Sequence, residues 1–295
     1  MVAPLQPRRP SGREILIGMA AAQATGGILL AAAKALAFGN PYLAASAVIV
    51  VPLLMGFAHA FAWRRTPTTT TTLVLWSFLD TLLACLLAWF LIHEGTICLL
   101  IVFPLLWSFL LTGMLLGRSL LRERRDRGVL RVAAAPMLVG WLLIDSARPH
   151  TLERVVVTES APIAGSPAQV WNHVVALGAI PEPPDYWLCR IGLPAPQVVR
   201  AEGPWVGARR DCIFTGNLVF GERITACEPG RLLRFDIVSQ PRDPEILGHA
   251  DVLRGEMSLR DNGDGTTTVV GRSAYALHVF PAVYFDLWAQ AIGHA

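Results

Sequence analysis

Four long apolar segments follow one another in the N-terminal half of the chain. They cover residues 15–38, 43–63, 73–92 and 96–116, and only short polar breaks separate them. An α-helix needs about 20 apolar residues to cross the hydrocarbon core of a bilayer. Since the first segment is too long for the apolar part of a signal peptide and more segments come directly after it, we interpret it as a retained anchor. The sequence therefore predicts an integral membrane protein with an N-terminal helical bundle.

Arginines mark alternate loops of this bundle. They cluster before the first segment, after the second and after the fourth, and the other loops carry almost none. The clusters are Arg8, Arg9 and Arg13; Arg64 and Arg65; and Arg118, Arg122, Arg124, Arg125 and Arg127. Because cytoplasmic loops carry the excess of basic residues, all three clusters are predicted on the cytoplasmic side, with residues 1–14 as a basic cytoplasmic N-terminus. This pattern is typical of a multi-pass protein of a bacterial inner membrane.

A fifth apolar segment, residues 129–144, decides where the C-terminal half of the chain lies. As a helix it is about 24 Å long, which is short for a span. Arg131 at the cytoplasmic end and Trp141 near the other end favour a true span, and we predict one. The membrane domain then covers residues 15–147, and residues 151–295 lie outside the cytoplasm. An interfacial or re-entrant helix is the alternative, and it would keep the C-terminal half of the chain in the cytoplasm.

Two ionisable residues lie within the apolar segments. Counted from the cytoplasmic boundary, Asp80 is about 12 Å deep and His59 about 6 Å deep, so the two side chains can meet. A carboxylate at that depth is costly unless it faces the bundle or is protonated. A proton or ion relay is one interpretation, and a polar contact that fixes the packing of two helices is the other.

The C-terminal part, residues 151–295, has the composition of a soluble domain. A β-branched run at residues 154–160 predicts a strand, and Ser166-Pro167 predicts the start of a helix to about residue 177. Alternating patterns predict further strands at 197–202, 208–214, 219–227, 232–238, 251–259 and 266–279. Asp261-Asn262-Gly263-Asp264-Gly265 predicts a hairpin between the last two. A helix at 282–295 completes an α+β domain with a curved antiparallel sheet around a C-terminal helix.

Five segments of this part suggest a family. They are SPAQVW, IPEPPDYW, GARRDCIFTG, EPGRLLRFDI and YFDLWAQAIGH. Together with the predicted order of strands and helices, they resemble the START-like (SRPBCC) superfamily and most of all its polyketide cyclase/dehydrase-type members. The resemblance covers residues 151–295 only. It implies a helix-grip fold whose sheet and C-terminal helix enclose an apolar cavity for lipids, sterols or polyketides. The C-terminal helix is shorter than is usual in that family, which implies either a truncated helix or an open cavity.

The resemblance and the strand parity together give two sets of site candidates. Aromatic side chains near the implied cavity are Phe214, Phe235, Tyr275, Tyr284 and Trp288. Polar side chains that could polarise a carbonyl or transfer a proton are Arg210, Asp211, Glu222 and His278. Ordinary core aromatics and ion pairs along a sheet would place the same residue types at these positions. A role in a binding or catalytic site and a purely structural role therefore both stay open.

Other classes of function lack support in the sequence. The net charge of +3 and the absence of a basic stripe argue against nucleic acid, and no metal-ligand spacing or phosphate loop is present, so neither a metal nor a cofactor is predicted. The predicted partners are the lipid bilayer and a hydrophobic small molecule, while the oligomeric state is not indicated. We expect a membrane-anchored domain that binds such a ligand. The alternatives are a cyclase/dehydrase-type enzyme acting on a membrane-derived substrate, and a transporter or sensor regulated by the soluble domain.

Overall fold

The computed structural model describes residues 8–36, 41–122, 154–180, 186–243, 250–279 and 281–293. The chain divides into two compact units. The described part of the N-terminal unit is helical, and the C-terminal unit is built on an eight-stranded antiparallel sheet.

The described part of the N-terminal unit contains four helices, α1 (Gly12–Leu36), α2 (Pro41–Ala62), α3 (Thr70–Ile92) and α4 (Thr96–Arg122). Among the described residues, three stretches are long and apolar enough to cross a membrane: Gly12–Ala32, Thr70–Ile92 and Thr96–Leu121. The sequence predicted four or five spans. The difference concerns α2, whose described side chains begin at Val48 and give only the shorter apolar stretch Val48–Ala62. The predicted fifth segment, 129–144, lies outside the described residues.

Local features of the chain set both ends of α3. The side chain of Thr69 accepts a hydrogen bond from the backbone N–H of Thr72, so the helix starts inside the threonine run, three residues before the apolar pattern begins at Leu73. At the other end His93 adopts a left-handed conformation with φ of 59° and stops the helix. The polar breaks seen in the sequence are therefore caps and turns between apolar helices.

Glycines bring α2 and α4 into backbone contact. A Cβ atom added at Gly56 would lie 2.0 Å from the carbonyl oxygen of Leu110, and one added at Gly113 would lie 2.0 Å from that of Leu53. Gly18 and Gly26 of α1 face side chains of α2 in a similar way. These glycines thus lie at helix contacts, where the lack of a side chain lets two helices approach closely.

The sheet of the C-terminal unit has the strand order β1-β8-β7-β6-β5-β4-β3, and β2 pairs with β8. The strands are β1 (Arg154–Glu159), β2 (Ile163–Ala164), β3 (Pro196–Ala201), β4 (Arg209–Phe214), β5 (Leu218–Glu228), β6 (Leu232–Ser239), β7 (Ala250–Asp261) and β8 (Thr266–Leu277). Three helices accompany them: α5 (Pro167–Val175), α6 (Trp187–Arg190) and α7 (Ala282–Gly293). The curved sheet with a C-terminal helix agrees with the architecture expected from the sequence.

The predicted hairpin between β7 and β8 is confirmed. The carboxylate of Asp261 accepts a hydrogen bond from the N–H of Gly263, and that of Asp264 accepts one from the N–H of Thr266. Gly263 and Gly265 have φ values of 77° and 84°, which favour glycine. The two-residue strand β2 was not predicted, because so short a strand has no period to detect.

Replacing Gly56 with alanine tests the close packing of α2 and α4. The added methyl group would overlap the Leu110 carbonyl, so we expect a loss of about 1–3 kcal/mol in the free energy of unfolding. Thermal unfolding of the full chain in detergent measures it. Gly27→Ala in α1 is the matched control, since no atom lies within 4 Å of the added Cβ there. Equal stability of the two variants would contradict the close contact.

Candidate functional site

One face of the sheet, which we call the concave face, is covered in part by α5 and α7. Phe235 of β6 pairs with Gly255 of β7, which pairs with Ser273 of β8, so these residues point to the same side of the sheet. Phe235 packs in a core cluster with residues of α5. Tyr275 lies two residues beyond Ser273 and bonds to Asp286 of α7. Both helices therefore lie on this face.

The α5 end of the concave face is a closed apolar core. Trp171 and Val174 of α5 are buried against Ile224, Leu233 and Phe235 of the sheet. A local signal sets the start of α5. Ser166 and Gln169 form a capping box, and Pro167 takes the first helical position, so the helix begins there.

The α7 end is held by a smaller apolar cluster and by polar bonds. Phe285 and Ala289 pack against Val156, Tyr275 and Leu277 of the sheet. The opposite side of α7 is different, since Val283 and Leu287 are largely exposed. Helix α7 therefore carries apolar side chains on two sides, and the sheet covers only one of them.

Between these two ends, part of the concave face stays accessible. Ser273 points to this face and is exposed, although its neighbours in the sheet, Gly255 and Val156, are buried. The Phe235 ring covers Gly255, where an added Cβ would lie 2.4 Å from the ring. The accessible strip at Ser273 is thus bounded by Phe235 on the α5 side and by Tyr275 on the α7 side.

A buried ion pair closes the α5 end. Arg210 and Glu222, on the paired strands β4 and β5, are 3% and 4% exposed and form a salt bridge. The Arg210 guanidinium also donates to the carbonyl oxygens of Val175 and Val174 at 3.1 and 3.4 Å, and it lies over the Phe235 ring at 4.6 Å. Arg210 therefore satisfies the C-terminal carbonyls of α5 and joins the helix to the sheet.

Burial changes the acid–base properties of this end. Desolvation raises the pKa of the Glu222 carboxyl above its ordinary value, and the nearby Arg210 opposes the shift. Burial also raises the pKa of the neighbouring Cys212 thiol to about 11. This thiol stays protonated at neutral pH, which excludes it as a thiolate nucleophile.

A polar network holds α7 on the sheet. The Tyr275 hydroxyl donates to the Asp286 carboxylate at 2.8 Å and accepts a hydrogen bond from the Gln290 amide at 3.0 Å. Arg154 of β1 pairs with the same carboxylate at 2.8 Å. Burial, with the hydrogen bond to Asp286, raises the pKa of Tyr275 to about 12. The phenol thus remains a donor across the physiological range.

The other polar candidates lie away from the Arg210–Glu222 pair. Asp211 points to the opposite side of β4 and bonds to Arg209 at 3.1 Å. His278 comes directly after β8 and bonds to Asp251 at 2.7 Å, with both side chains partly exposed. The structure therefore brings together Arg210 and Glu222 but places Asp211 and His278 in separate surface pairs.

The aromatic candidates lie on four different elements. Phe235 and Tyr275 flank the accessible strip. Phe214 lies at the far end of β4, with its ring 5.2 Å from that of Phe220. Tyr284 and Trp288 are half-buried residues of α7.

The sequence did not single out Ser273, Arg154, Asp286 or Gln290. Their positions depend on the pairing of β1 with β8 and on the docking of α7, which no local pattern encodes. The spacing of Asp286 and Gln290, one helical turn apart on an otherwise apolar helix, is a signal that could have identified them.

In the N-terminal unit, His59 and Asp80 are in contact. The distance from His59 Nδ1 to Asp80 Oδ2 is 2.5 Å, and both side chains are fully buried. Trp63 packs edge-on against the His59 ring, and an added Cβ at Gly18 would lie 2.5 Å from His59 Nε2. His59 Nε2 and Asp80 Oδ1 have no hydrogen-bond partner among the described residues. No group of three metal-ligating side chains is found in the described ranges.

The sheet, its two covering helices and the composition of the concave face agree with one protein family. Residues 154–291 match the family model described as polyketide cyclase/dehydrase and lipid transport. The C-terminal domain belongs to this polyketide cyclase/dehydrase-type family. The match leaves the apolar helices outside it, so the family describes this domain and not the N-terminal unit.

Solved structures similar to the polyketide cyclase-type domain are distant from it. Norcoclaurine synthase from Thalictrum flavum, in complex with dopamine and hydroxybenzaldehyde, is 11% identical, with 57% of this chain and 84% of that one covered and a TM-score of 0.32. Ara h 8.0201 is 14% identical, covering 48% and 92%, with a TM-score of 0.32. Protein MLL2253 from Mesorhizobium loti is 19% identical, covering 48% and 93%, with a TM-score of 0.30. No curated protein sequence matches significantly. Since these TM-scores are low, the assignment of the domain rests on the family match.

Replacing Arg210 with leucine tests its role in joining α5 to the sheet. The change leaves the Glu222 carboxylate buried without its partner, so we expect a loss of about 3–5 kcal/mol in the free energy of unfolding. Denaturant titration of the full chain in detergent, monitored by tryptophan fluorescence, measures it. The neighbouring variant Arg209→Leu removes an exposed ion pair and should cost less than about 1 kcal/mol. Similar losses of unfolding free energy in both variants would show that the buried Arg210–Glu222 pair contributes no more to stability than an exposed ion pair.

Proposed function

We propose that the chain is a membrane-anchored protein whose C-terminal domain binds a hydrophobic ligand, such as a lipid, an isoprenoid or a polyketide-like molecule. The observation that carries the proposal is the match of residues 154–291 to a family described by polyketide cyclization, dehydration and lipid transport. The concave face supports it, because an accessible strip at Ser273 lies between the aromatic side chains of Phe235 and Tyr275. Apolar walls with a few polar groups are typical of sites for small ligands.

Within this proposal the polar side chains shape the site by fixing its walls. Arg210 already bonds to Glu222 and to two carbonyl oxygens of α5, and it stacks on Phe235. Few of its donors are left for a substrate, so we assign it to the wall of the site. Tyr275 borders the strip and also belongs to the wall, because its hydroxyl already donates to Asp286 and accepts a hydrogen bond from Gln290.

The enzyme and transporter alternatives have less support. General acid–base chemistry needs groups that converge on one reacting atom. Asp211 and His278 are engaged in separate surface pairs, away from Arg210 and Glu222. In the N-terminal unit, His59 and Asp80 meet only each other and bring no second carboxylate within reach among the described residues, which favours a packing role for this pair over a relay.

Anchoring in a membrane is part of the proposal. The outer surface of α3 carries exposed large apolar side chains, among them Leu86, Phe90 and Leu91. A contiguous surface of this kind is stable in lipid and unfavourable in water. With α2 and residues 129–144 counted as further spans, the bundle has five, and the C-terminal domain lies on the periplasmic side of a bacterial inner membrane.

Filling the accessible strip tests the ligand site. Ser273→Trp places a large ring between Phe235 and Tyr275, and we expect the binding of a fluorescent fatty-acid probe to weaken about tenfold or more, which corresponds to about 1.4 kcal/mol. Mass spectrometry of lipids extracted from the purified full chain gives a second readout.

Val238→Trp is the matched control. Val238 lies on β6 at the opposite side of the sheet and is exposed, so the same ring there leaves the concave face unchanged. Equal probe binding by wild type and Ser273→Trp, with no native lipid above background, would remove the proposal.

A reporter joined after Ala295 tests the side of the membrane. With residues 129–144 as a span, a C-terminal alkaline phosphatase should be active and a fluorescent protein that folds only in the cytoplasm should stay dark. Deleting residues 129–144 should reverse both results. A bright cytoplasmic reporter on the undeleted chain would place the domain inside the cell and make the segment an interfacial helix.

A further inference from the structure

The side of α7 that faces away from the sheet is apolar and exposed. Val283 and Leu287 are 69% and 68% exposed, and Ala291, one further turn along the helix, is exposed as well. These three positions are spaced four residues apart, so they lie on one side of the helix. We call this row of side chains the outer face of α7.

The charged and amide side chains of α7 point to the sheet instead. The Asp286 carboxylate bonds to Tyr275 and Arg154, as described above. The Gln290 amide donates to the Tyr275 hydroxyl and to the carbonyl oxygen of Val155. The outer face is therefore uncharged and consists of aliphatic side chains.

Aromatic residues border the outer face. Tyr284 and Trp288 follow two of its residues in sequence and are half-buried. At the C-terminal end of α7, the Tyr186 hydroxyl donates to the carbonyl oxygen of Ala291 at 3.2 Å, and the adjacent Trp187 of α6 is 49% exposed. Tryptophan and tyrosine are enriched where lipid headgroups meet acyl chains. An apolar helix side with such a border is typical of a helix that lies in a membrane interface.

The point where the chain enters the domain lies against α7. Residues 145–153, nine in all, join the apolar segment 129–144 to Arg154 at the start of β1. Nine residues reach about 32 Å at most when fully extended. A span and an interfacial helix at 129–144 both leave residue 144 at the bilayer surface, so Arg154 stays within that distance of it. Because Arg154 bonds to Asp286 at 2.8 Å, α7 is held near the bilayer as well.

A protein partner would need a larger surface than the outer face offers. Helix α7 has 12 residues, so it is about 18 Å long and about 10 Å wide, which gives on the order of 180 Å² on one side. A specific protein–protein interface buries about 800 Å² on each partner. A bilayer can be bound through a smaller area, because the short connection to the membrane segment makes the contact intramolecular and raises its effective concentration.

We propose that the outer face of α7 docks on the surface of the bilayer that holds the chain's own helices, with Val283 and Leu287 inserted at the boundary of headgroups and acyl chains. Tyr275 bonds to α7 and borders the strip at Ser273, so this docking holds the α7 end of the strip close to the membrane. A hydrophobic ligand can then pass between the bilayer and the strip over a short path. The inference rests on the membrane anchoring and the ligand site of the proposed function.

A fluorescent amino acid in place of Val283 tests the docking in the full chain. The protein is reconstituted in phosphatidylcholine vesicles that contain some phosphatidylcholine with a nitroxide quencher on its acyl chain. Since the probe lies among the lipids when the outer face is docked, we expect the nitroxide lipid to quench it about threefold or more strongly than a probe in water. Steady-state fluorescence with and without the nitroxide lipid measures the quenching.

Position 238 is the matched control for the probe. Val238 is also an exposed valine, and it lies on β6 at the opposite side of the sheet from α7. The same fluorescent amino acid there should stay in water and be quenched only weakly. Equal quenching at positions 283 and 238 would overturn the proposal, because the domain would then meet the bilayer without a preferred face.

Leu287→Glu, in the chain that carries the probe at position 283, tests the apolar character of the outer face. A carboxylate at the lipid boundary is costly, so the quenching should fall to the level seen at position 238. The substituted side chain is exposed, so the melting temperature should not change. Val157→Glu adds the same charge at an exposed position of β1 and should keep the quenching. Unchanged quenching in Leu287→Glu would contradict the proposal.

Leu287→Ala removes apolar surface without adding a charge. We expect quenching between that of the parent chain and that of Leu287→Glu, since part of the inserted area is lost. This variant keeps the test valid if the glutamate variant does not fold. Quenching equal to that of the parent chain would count against insertion of the Leu287 side chain.

Extraction of the vesicles with sodium carbonate reports on membrane anchoring separately. A chain that resists extraction but shows no quenching at position 283 would overturn the docking alone, whereas an extracted chain would overturn the anchoring together with this inference. A blue-shifted probe without lipid quenching would place a protein, such as a second copy of the chain, on the outer face and overturn the bilayer as its occupant. Ser273→Trp should leave the quenching unchanged, so loss of the ligand site is distinguishable from loss of docking.

Discussion

Both helices that cover the concave face depend on polar side chains of the sheet. Arg210 reaches from β4 to the C-terminal carbonyl oxygens of α5 and is neutralised by Glu222 on the next strand. At the other end Tyr275 and Arg154 hold Asp286 of α7. Apolar contact alone would allow either helix to slide along the sheet, whereas these directional bonds fix each helix at one position and so define the strip between them.

The two attachments differ in exposure, and this difference matters for a binding site. The Arg210–Glu222 pair is buried under α5, so separating that helix from the sheet would break the hydrogen bonds from Arg210 to its carbonyl oxygens and open the apolar cluster around Phe235. Arg154 and Asp286 are partly exposed, so water can replace their bond at lower cost. Opening of the site by movement of α7 is therefore cheaper than opening by movement of α5.

Much of the fold could be predicted because the determining signals are local. The alternation along β4 to β8, the turn residues at Asp261 and Gly263, and the Ser166-Pro167 helix start each act within a few residues. The apolar length of α1, α3 and α4 is also a local property. The exception was the span count, which depends on residues of α2 and on 129–144 that the structure does not describe.

The candidate site was harder to predict, since its geometry comes from pairing between distant residues. Arg210 and Glu222 appeared in the sequence as two of several charged residues, and only the register of β4 with β5 makes them a pair. Asp211 was grouped with them by its charge, but the one-residue offset turns it to the other face. The partners of Tyr275 lie on α7 and β1, and no pattern in the sequence indicates how that helix docks.

The backbone contact at Gly56 and Gly113 has a consequence for how lipids can approach the bundle. Where two helices meet without side chains between them, no gap remains that would admit an acyl chain. The contact between α2 and α4 is then closed to acyl chains where Gly56 and Gly113 meet the facing backbone. Acyl chains of a surrounding bilayer would then reach only the outward-facing side chains of these two helices.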